Sequence, residues 1–267
     1  MIADYQGKTV LVTGGTMGLG LATALAFGRR GARCVLTYRW GSADDDDVTA
    51  RFAAVGAPAP LILQADAANA DDTLAVVRAI KAEASHVEAF ISNVSGALVI
   101  HELEDYSARG LAKSINYSAW PMYEYTRQLK QELGRYPRYV VGMSSTGPDH
   151  FSVGYDFVAA SKAVMETLCR YLTYRLRDED CRINVVRSRA VRTASFEQTF
   201  GPELADFATR FVPDSHFIAP EEVADATLAL CSGLFDAMRG QVITVDRGTT
   251  FSDNLLRLYS ERKNLGL

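Results

Sequence analysis

The chain has 267 residues, of which 48% are hydrophobic and 22% charged, a composition that excludes a disordered or fibrous protein. Its 28 basic and 32 acidic side chains give a net charge of −4, so no basic excess predicts nucleic-acid binding. No apolar run reaches the ~18 residues of a membrane span, and the segment Met1 to Lys8 lacks the pattern of a secretory signal.

The four cysteines lie in apolar stretches, and none of them form a Cys-x-x-Cys pair. Their spacing suits neither a zinc site nor a disulfide framework, and cysteines of this kind behave as small hydrophobic residues. We therefore expect a reducing, cytoplasmic location. The four histidines are scattered without the paired spacing of a metal site, so no metal is expected.

Short, nearly continuous apolar runs alternate along the chain with longer segments of helical periodicity. The predicted strands are Thr9–Thr13, Arg33–Tyr38, Pro60–Ala65, Val87–Ser92, Tyr139–Met143, Arg182–Arg187 and Gln241–Val245. The predicted helices span 18–30, 70–84, 103–133, 156–178 and 221–233. Because such strands are typical of a sheet buried on both faces, the alternation predicts an α/β fold. We expect residues 1–267 to form a single doubly wound domain with a seven-stranded parallel sheet.

Two segments interrupt the alternation of strands and helices. Asp44–Asp47 is predicted to be the acidic start of a weak helix, stabilised by the helix dipole. The segment at about 193–219 is rich in phenylalanine and follows the sixth strand, at the sheet edge where ligands bind. It is either a helical lid over a substrate pocket or a packed pair of helices, and we favour the lid.

The first predicted strand runs into a glycine-rich loop, Thr13-Gly14-Gly15-Thr16-Met17-Gly18-Leu19-Gly20. Glycine permits a sharp turn and a close approach to the backbone, and the helix that begins here points its free amides at a bound anion. The loop follows a strand and opens a helix, which is the context that a dinucleotide site requires. We therefore expect a diphosphate to bind at Gly14, Thr16, Met17, Gly18, Leu19 and Gly20.

The loop resembles the Thr-Gly-x-x-x-Gly-x-Gly motif of the short-chain dehydrogenase/reductase family, and further matches follow in order along nearly the whole chain. The resemblance implies a Rossmann domain that binds a nicotinamide dinucleotide. It also implies a homo-oligomer, because the family commonly pairs its long helices between subunits. The further positions that the resemblance assigns to the cofactor are Asp66, Ala67, Asn93, Gly96, Lys162, Val191 and Thr193.

The end of the second strand predicts which nicotinamide cofactor binds. An acidic residue there would bind the ribose hydroxyls of NAD, but this chain has Tyr38 followed by Arg39. An arginine can pair with a 2′-phosphate through two hydrogen bonds, whereas a carboxylate would repel it. We therefore predict NADP(H), with Arg39 as the main contact and Trp40 or Ser42 as helpers.

The resemblance also implies a catalytic serine, tyrosine and lysine, and this chain lacks the tyrosine. Ser145 and Lys162 match the family's serine and lysine, and Asn116 matches the asparagine that supports a proton relay. The family's tyrosine lies four residues before the lysine, where this chain has Val158. The 13-residue interval from Ser145 to Val158 is the family's own, so a shifted alignment does not restore the tyrosine.

Three ways of replacing the tyrosine stay open. Tyr155 could donate the proton, but it lies about 10 Å along the helix axis from Lys162, which we expect to be too far for Lys162 to tune it. The substrate could carry a phenol beside its ketone, or the chain could bind NADP(H) as an inactive regulatory module. We favour the substrate phenol. The sequence thus predicts an NADPH-dependent ketoreductase for a small aromatic polyketide ketone, with the proton from a substrate phenol or from solvent.

Overall fold

The computed structural model describes residues 4–40, 44–96, 98–189, 191, 203, 207, 211–212 and 216–266. The strands are β1 (Thr9–Thr13), β2 (Arg33–Tyr38), β3 (Leu61–Gln64), β4 (Ala89–Ser92), β5 (Tyr139–Ser145), β6 (Arg182–Ser188) and β7 (Val242–Val245). The α-helices of these residues are α1 (Gly18–Gly28), α2 (Asp45–Ala54), α3 (Ala70–Glu83), α4 (Ala108–Ser118), α5 (Trp120–Leu133), α6 (Asp156–Arg175), α7 (Pro220–Leu230) and α8 (Asn254–Glu261).

The seven strands form one parallel sheet in the order β3-β2-β1-β4-β5-β6-β7. The order reverses between β1 and β4, so their carboxyl ends flank the crevice in which doubly wound folds bind ligands. This arrangement confirms the predicted α/β fold with a seven-stranded parallel sheet. Each predicted strand is present, with ends that differ by at most two residues.

Strand β5 is longer than predicted and carries two serines into the sheet. Ser144 pairs with Arg187 of β6, and Ser145 pairs with Ser188. Polar residues at the end of an apolar run look like the start of a loop, but here the neighbouring strand continues the ladder beside them. The pairing fixes the backbone of both serines at the carboxyl edge of the sheet.

The single helix predicted over 103–133 is wrong, because the chain forms a 3-10 turn at Leu103–Asp105 and then the separate helices α4 and α5. Pro121 stands in the first turn of α5. Proline has no backbone N–H to donate to the preceding turn, so it is tolerated at a helix start and interrupts a helix interior. The sequence pattern also did not predict α8. The acidic start predicted for α2 is present, with Asp44 accepting a hydrogen bond from the Asp46 amide at 2.8 Å.

Hydrophobic side chains cover both faces of the sheet, as the continuous apolar strands predict. One face packs against α1 and α7, and the other packs against α3, α5 and α6. The four cysteines are buried free thiols. Among the residues that the structure describes, no helix combines the length and the apolar character needed to cross a membrane. The predicted contacts of Ser42 and Thr193, and most of the lid predicted at about 193–219, lie outside the described residues.

Candidate active site

The glycine-rich loop between β1 and α1 forms a cradle whose backbone is open to a ligand. Gly14 and Gly18 adopt φ angles of 61° and 53°, which a residue with a side chain rarely adopts. A Cβ atom at Gly20 would lie 2.1 Å from the Gly14 carbonyl oxygen, so only glycine fits there. Met17 caps α1 without a side-chain hydrogen bond, which leaves the first amides of the helix for an anion. The cradle therefore fits the diphosphate of a dinucleotide.

Asn93, which follows β4, holds the cradle in place. Its Nδ2 donates hydrogen bonds to the carbonyl oxygens of Thr13, at 3.1 Å, and Gly14, at 3.0 Å. Its backbone amide donates to Thr13 Oγ1 at 3.1 Å. Asn93 thus acts by positioning the loop, and its side chain is already occupied within the protein. Within the loop, Thr16 is buried and Met17 is exposed.

The side chain of Arg39, at the end of β2, is paired inside the protein. Its Nη2 lies 3.0 Å from Asp66 Oδ2, just after β3. Two residues predicted to contact the cofactor, Arg39 and Asp66, therefore contact each other. Tyr117 of α4 completes this contact, since its hydroxyl donates to the same Asp66 oxygen at 3.0 Å. Sequence reasoning missed Tyr117, because no local pattern links α4 to the ends of β2 and β3.

The two serines at the end of β5 have different environments. Ser144 Oγ donates a hydrogen bond to Glu166 Oε1 at 2.7 Å, so its hydroxyl is engaged in the protein interior. Ser145 Oγ is buried and has no hydrogen bond of standard geometry. The Tyr155 hydroxyl lies near it. Ser145, rather than Ser144, therefore has the hydroxyl that Glu166 does not engage, and its role toward a substrate stays a prediction.

Tyr155, at the start of α6, lies beside Ser145. Its ring packs over Gly147, where an added Cβ atom would lie 2.8 Å from the ring carbons Cδ1 and Cε1. Burial raises the pKa of the Tyr155 phenol, while the Ser145 hydroxyl near it acts in the opposite direction. The Tyr155 phenol is therefore protonated at neutral pH. Tyr155 also borders a cleft of about 300 Å³, which His150 and Phe151 help to line.

Lys162 lies two turns further along α6 and is only 4% exposed. Its Nζ donates a hydrogen bond to the Met143 carbonyl oxygen at 2.7 Å. Burial lowers its pKa to about 8, against the opposing effect of the Glu166 carboxylate. The ammonium group is thus held behind the end of β5, on the same side of α6 as the buried Val158.

The remaining predicted site residues lie on several different elements. Val158 is buried and apolar, so it offers no proton. Asn116 lies on an exposed position of α4. Val191 follows β6, and its backbone forms a parallel bridge with Ile218. Gly96 packs against Tyr117, and Ala67 is buried after β3.

The fold and the glycine cradle define a dinucleotide-binding protein, and similarity to known proteins gives its family. A family model described as enoyl-(acyl carrier protein) reductase matches residues 14–250. The chain belongs to the short-chain dehydrogenase/reductase family and is therefore an oxidoreductase.

Relatives of the chain span nearly its full length. The 3β-hydroxysteroid dehydrogenase 1 of Eggerthella lenta is 28% identical over 259 residues, covering 94% of this chain and 96% of the relative. Versicolorin reductase 1 of Aspergillus parasiticus is 23% identical over 254 residues, covering 91% and 96%. The structure of a 7α-hydroxysteroid dehydrogenase with NADH and 7-oxo glycochenodeoxycholic acid has a TM-score of 0.79 at 20% identity, covering 92% of this chain and 95% of that one. That neighbour holds NADH, a nicotinamide cofactor.

Proposed function

We propose that the protein is an NADPH-dependent ketoreductase that reduces the ketone of a flat, fused-ring aromatic polyketide of the angucyclinone type. The observation that carries the proposal is the pairing of Ser145 with Tyr155 at the carboxyl edge of the sheet. This pair can hold and protonate a carbonyl oxygen on the side of the sheet where the glycine cradle would hold the cofactor. When bound, the nicotinamide supplies the hydride.

Tyr155 is the proposed proton donor. Ser145 Oγ is buried beside the Tyr155 hydroxyl and can donate a hydrogen bond to the substrate oxygen. The Tyr155 phenol, whose pKa burial raises, is protonated at neutral pH and would protonate the alkoxide as it forms, because an alkoxide is a stronger base than a phenolate. Lys162 lies about two turns away on the same helix, and its proposed role is to hold the nicotinamide ribose, as the family resemblance implies. The position of Tyr155 favours it over the substrate phenol or solvent that the sequence alone suggested.

Two features support a flat, polycyclic substrate. Steroids and versicolorin are fused-ring molecules, and two relatives are named for acting on them. In the segment predicted as a lid, the rings of Phe207 and Phe211 pack with their centroids 4.6 Å apart. A buried valine at the family's tyrosine position and an aromatic insertion after β6 also resemble the ketoreductase of simocyclinone biosynthesis, which reduces an angucyclinone.

The direct test follows the loss of NADPH absorbance at 340 nm with a panel of fused-ring aromatic hydroxyketones. We expect turnover with at least one of them and little with aliphatic ketones. Absence of turnover across the panel, together with tight NADPH binding, would instead identify an inactive NADP(H)-binding regulatory module.

A second candidate is reduction of an α,β-unsaturated thioester, since the matching family model is described as an enoyl-(acyl carrier protein) reductase. The pair Ser145 and Tyr155 would then hold the thioester oxygen while hydride reaches the β-carbon. Crotonyl-CoA in the same assay separates the candidates. Turnover of crotonyl-CoA without turnover of any ketone would replace the ketoreductase proposal.

A substitution at Arg39 tests the cofactor preference. Arg39→Asp removes the cation and brings a second carboxylate beside Asp66, so a 2′-phosphate would meet only negative charge. A hydrogen bond to a charged group contributes about 1.5–3 kcal/mol, so we expect NADPH to bind roughly 10- to 100-fold more weakly. NADH, which has no 2′-phosphate, should lose much less. Fluorescence titration measures both dissociation constants, and equal losses would contradict the NADPH assignment.

The pKa of Lys162 predicts how the activity depends on pH. Burial lowers the pKa of Lys162 to about 8, so its positive charge is present at pH 7 and is lost as the pH rises through about 8. The value of kcat/KM, which reports the free enzyme, should therefore fall over this range. Lys162→Arg keeps a charge at all these pH values, and its profile should lack the fall near pH 8. An unchanged fall in this variant would assign the titration to another group.

The expected setting of the enzyme remains a proposal. We propose that it works in the cytoplasm, where its four buried thiols would stay reduced, and that it forms a homo-oligomer like others of its family. Size-exclusion chromatography with light scattering measures the oligomeric state.

A further inference from the structure

The guanidinium of Arg39 belongs to a closed triangle of polar groups. Its Nη1 donates a hydrogen bond to the Tyr117 hydroxyl, and its Nη2 lies 3.0 Å from Asp66 Oδ2. The Tyr117 hydroxyl donates to the same Asp66 oxygen at 3.0 Å. The Trp40 ring covers the guanidinium, with 3.7 Å between the central carbon and the ring centroid. Three segments that are distant in sequence therefore fix the orientation of Arg39.

The other two members of the triangle are held from behind. Asp66 Oδ1 accepts a hydrogen bond from the Ala68 amide at 3.0 Å. Tyr117 packs so closely on Gly96 that a Cβ atom there would lie 3.0 Å from the Tyr117 Cβ. The next residue, Ser118, accepts a hydrogen bond from the Gly96 amide at 3.2 Å. Tyr117 and Asp66 are thus held in place by the protein around them. The longer Arg39 side chain can still change its conformation beside them.

Asp66 creates an electrostatic conflict for a 2′-phosphate. Its carboxylate offsets the charge of Arg39, so a phosphate must draw the guanidinium away from Asp66. The Asp66 side chain is only 19% exposed, and a partly buried carboxylate that loses its partner costs free energy. The Tyr117 hydroxyl can lower this cost, because it keeps its hydrogen bond to Asp66 when Arg39 turns to the phosphate.

We propose that Tyr117 is a positioning residue that determines the preference for a 2′-phosphate. It orients Arg39 before the ligand arrives and remains the partner of Asp66 after Arg39 has moved. This inference rests on the NADPH preference of the proposed function. It adds a residue on α4 to the residues that would determine cofactor preference, the others of which lie at the ends of β2 and β3.

The test is calorimetric titration of wild type and Tyr117→Phe with two nucleotides, 2′,5′-ADP and 5′-ADP, so that no turnover is needed. We expect Tyr117→Phe to weaken 2′,5′-ADP binding about tenfold, the effect of one hydrogen bond to a charged group. Binding of 5′-ADP should change by about twofold or less, because the lost hydroxyl serves only the Arg39–Asp66 pair. Tyr174→Phe is the matched control, since Tyr174 is 71% exposed on α6, and it should bind both nucleotides like wild type.

Three results would overturn the inference, and they differ in what else they affect. If wild type prefers 2′,5′-ADP and Tyr117→Phe keeps the full preference, Tyr117 has no role and the NADPH proposal stands. If wild type binds both nucleotides equally, the NADPH preference fails together with the inference. Tighter binding of 2′,5′-ADP to Tyr117→Phe would also overturn it, since the hydroxyl would then hold Arg39 away from the ligand.

Discussion

Tyr155→Phe should lower kcat for ketone reduction by roughly 10²–10⁴-fold, the usual contribution of a general acid. The variant removes one oxygen and keeps the ring that packs over Gly147. The position of Ser145 and the cradle for the cofactor should therefore stay intact, and KM and NADPH affinity should change little. Stopped-flow measurement of NADPH oxidation at saturating ketone separates this loss in rate from a loss in binding.

The control for this variant is Tyr174→Phe, which removes the same oxygen from an exposed position on α6 and should leave kcat unchanged. If Tyr155→Phe also left kcat unchanged, the proton would have to come from the substrate phenol or from solvent. A ketone without a neighbouring phenol distinguishes these two sources, because only the phenol route would fail with it.

Val158→Tyr gives a second readout of the same step. In the wild-type background, where Tyr155 already donates, it should give no gain of several orders of magnitude. In the Tyr155→Phe background, the new hydroxyl lies one turn from Lys162 and should recover part of the lost rate. Val158 is 2% exposed, so the larger side chain also costs about 1–3 kcal/mol of stability through overpacking.

The sheet could be predicted from the sequence because its strands are buried on both faces. A strand such as β1, in which all five residues are buried, reads as a continuous apolar run with clear ends. The end of β5 was less clear, since Ser144 and Ser145 are polar and join the sheet only through pairing with β6. The split between α4 and α5 also went unrecognised, although Pro121 marks it. Local sequence pattern therefore predicted which elements form, whereas contacts with neighbouring elements decided where each one begins and ends.

The site was predictable where a backbone conformation requires one residue type. Glycine at positions 14 and 20 follows from the turn and from the close approach of α1 to the cradle. The contacts of Arg39 with Asp66 and Tyr117 were not predictable, because they join three segments that no spacing relates. Spacing along the helix axis places Tyr155 too far from Lys162, but its contact with Ser145 crosses to the end of β5 instead. Distances along one element cannot give contacts between elements.

A buried ion pair behind the active site was also absent from the sequence prediction. Glu166 is nearly buried on α6, and it accepts hydrogen bonds from Arg187 Nε at 2.6 Å and from Arg187 Nη2 at 2.5 Å. It also accepts one from Ser144 Oγ at 2.7 Å. Asp149 forms a further ion pair with Arg187. These bonds join α6 to β5 and β6 next to Lys162. They therefore stabilise the position of Lys162.

Glu166→Ala should lower the free energy of unfolding by about 3–5 kcal/mol, the usual cost of breaking a buried ion pair. The charge of Arg187, whose side chain is 12% exposed, would keep only Asp149 as a partner. Urea unfolding followed by circular dichroism measures the change. Glu83→Ala is the matched control, because its pair with Arg33 is exposed and such pairs contribute about 0–1 kcal/mol.

The double variant Glu166→Met and Arg187→Met shows whether the cost comes from the uncompensated charge or from lost packing. Replacing both partners of a buried ion pair by apolar side chains is often neutral or stabilising. We therefore expect the double variant to recover most of the stability lost in Glu166→Ala. In both variants the fall in kcat/KM should lie below pH 8. The reason is that the Glu166 carboxylate raises the pKa of Lys162, and both variants lack this carboxylate. Equal instability of both variants would mean that packing, rather than charge, holds α6 against β6.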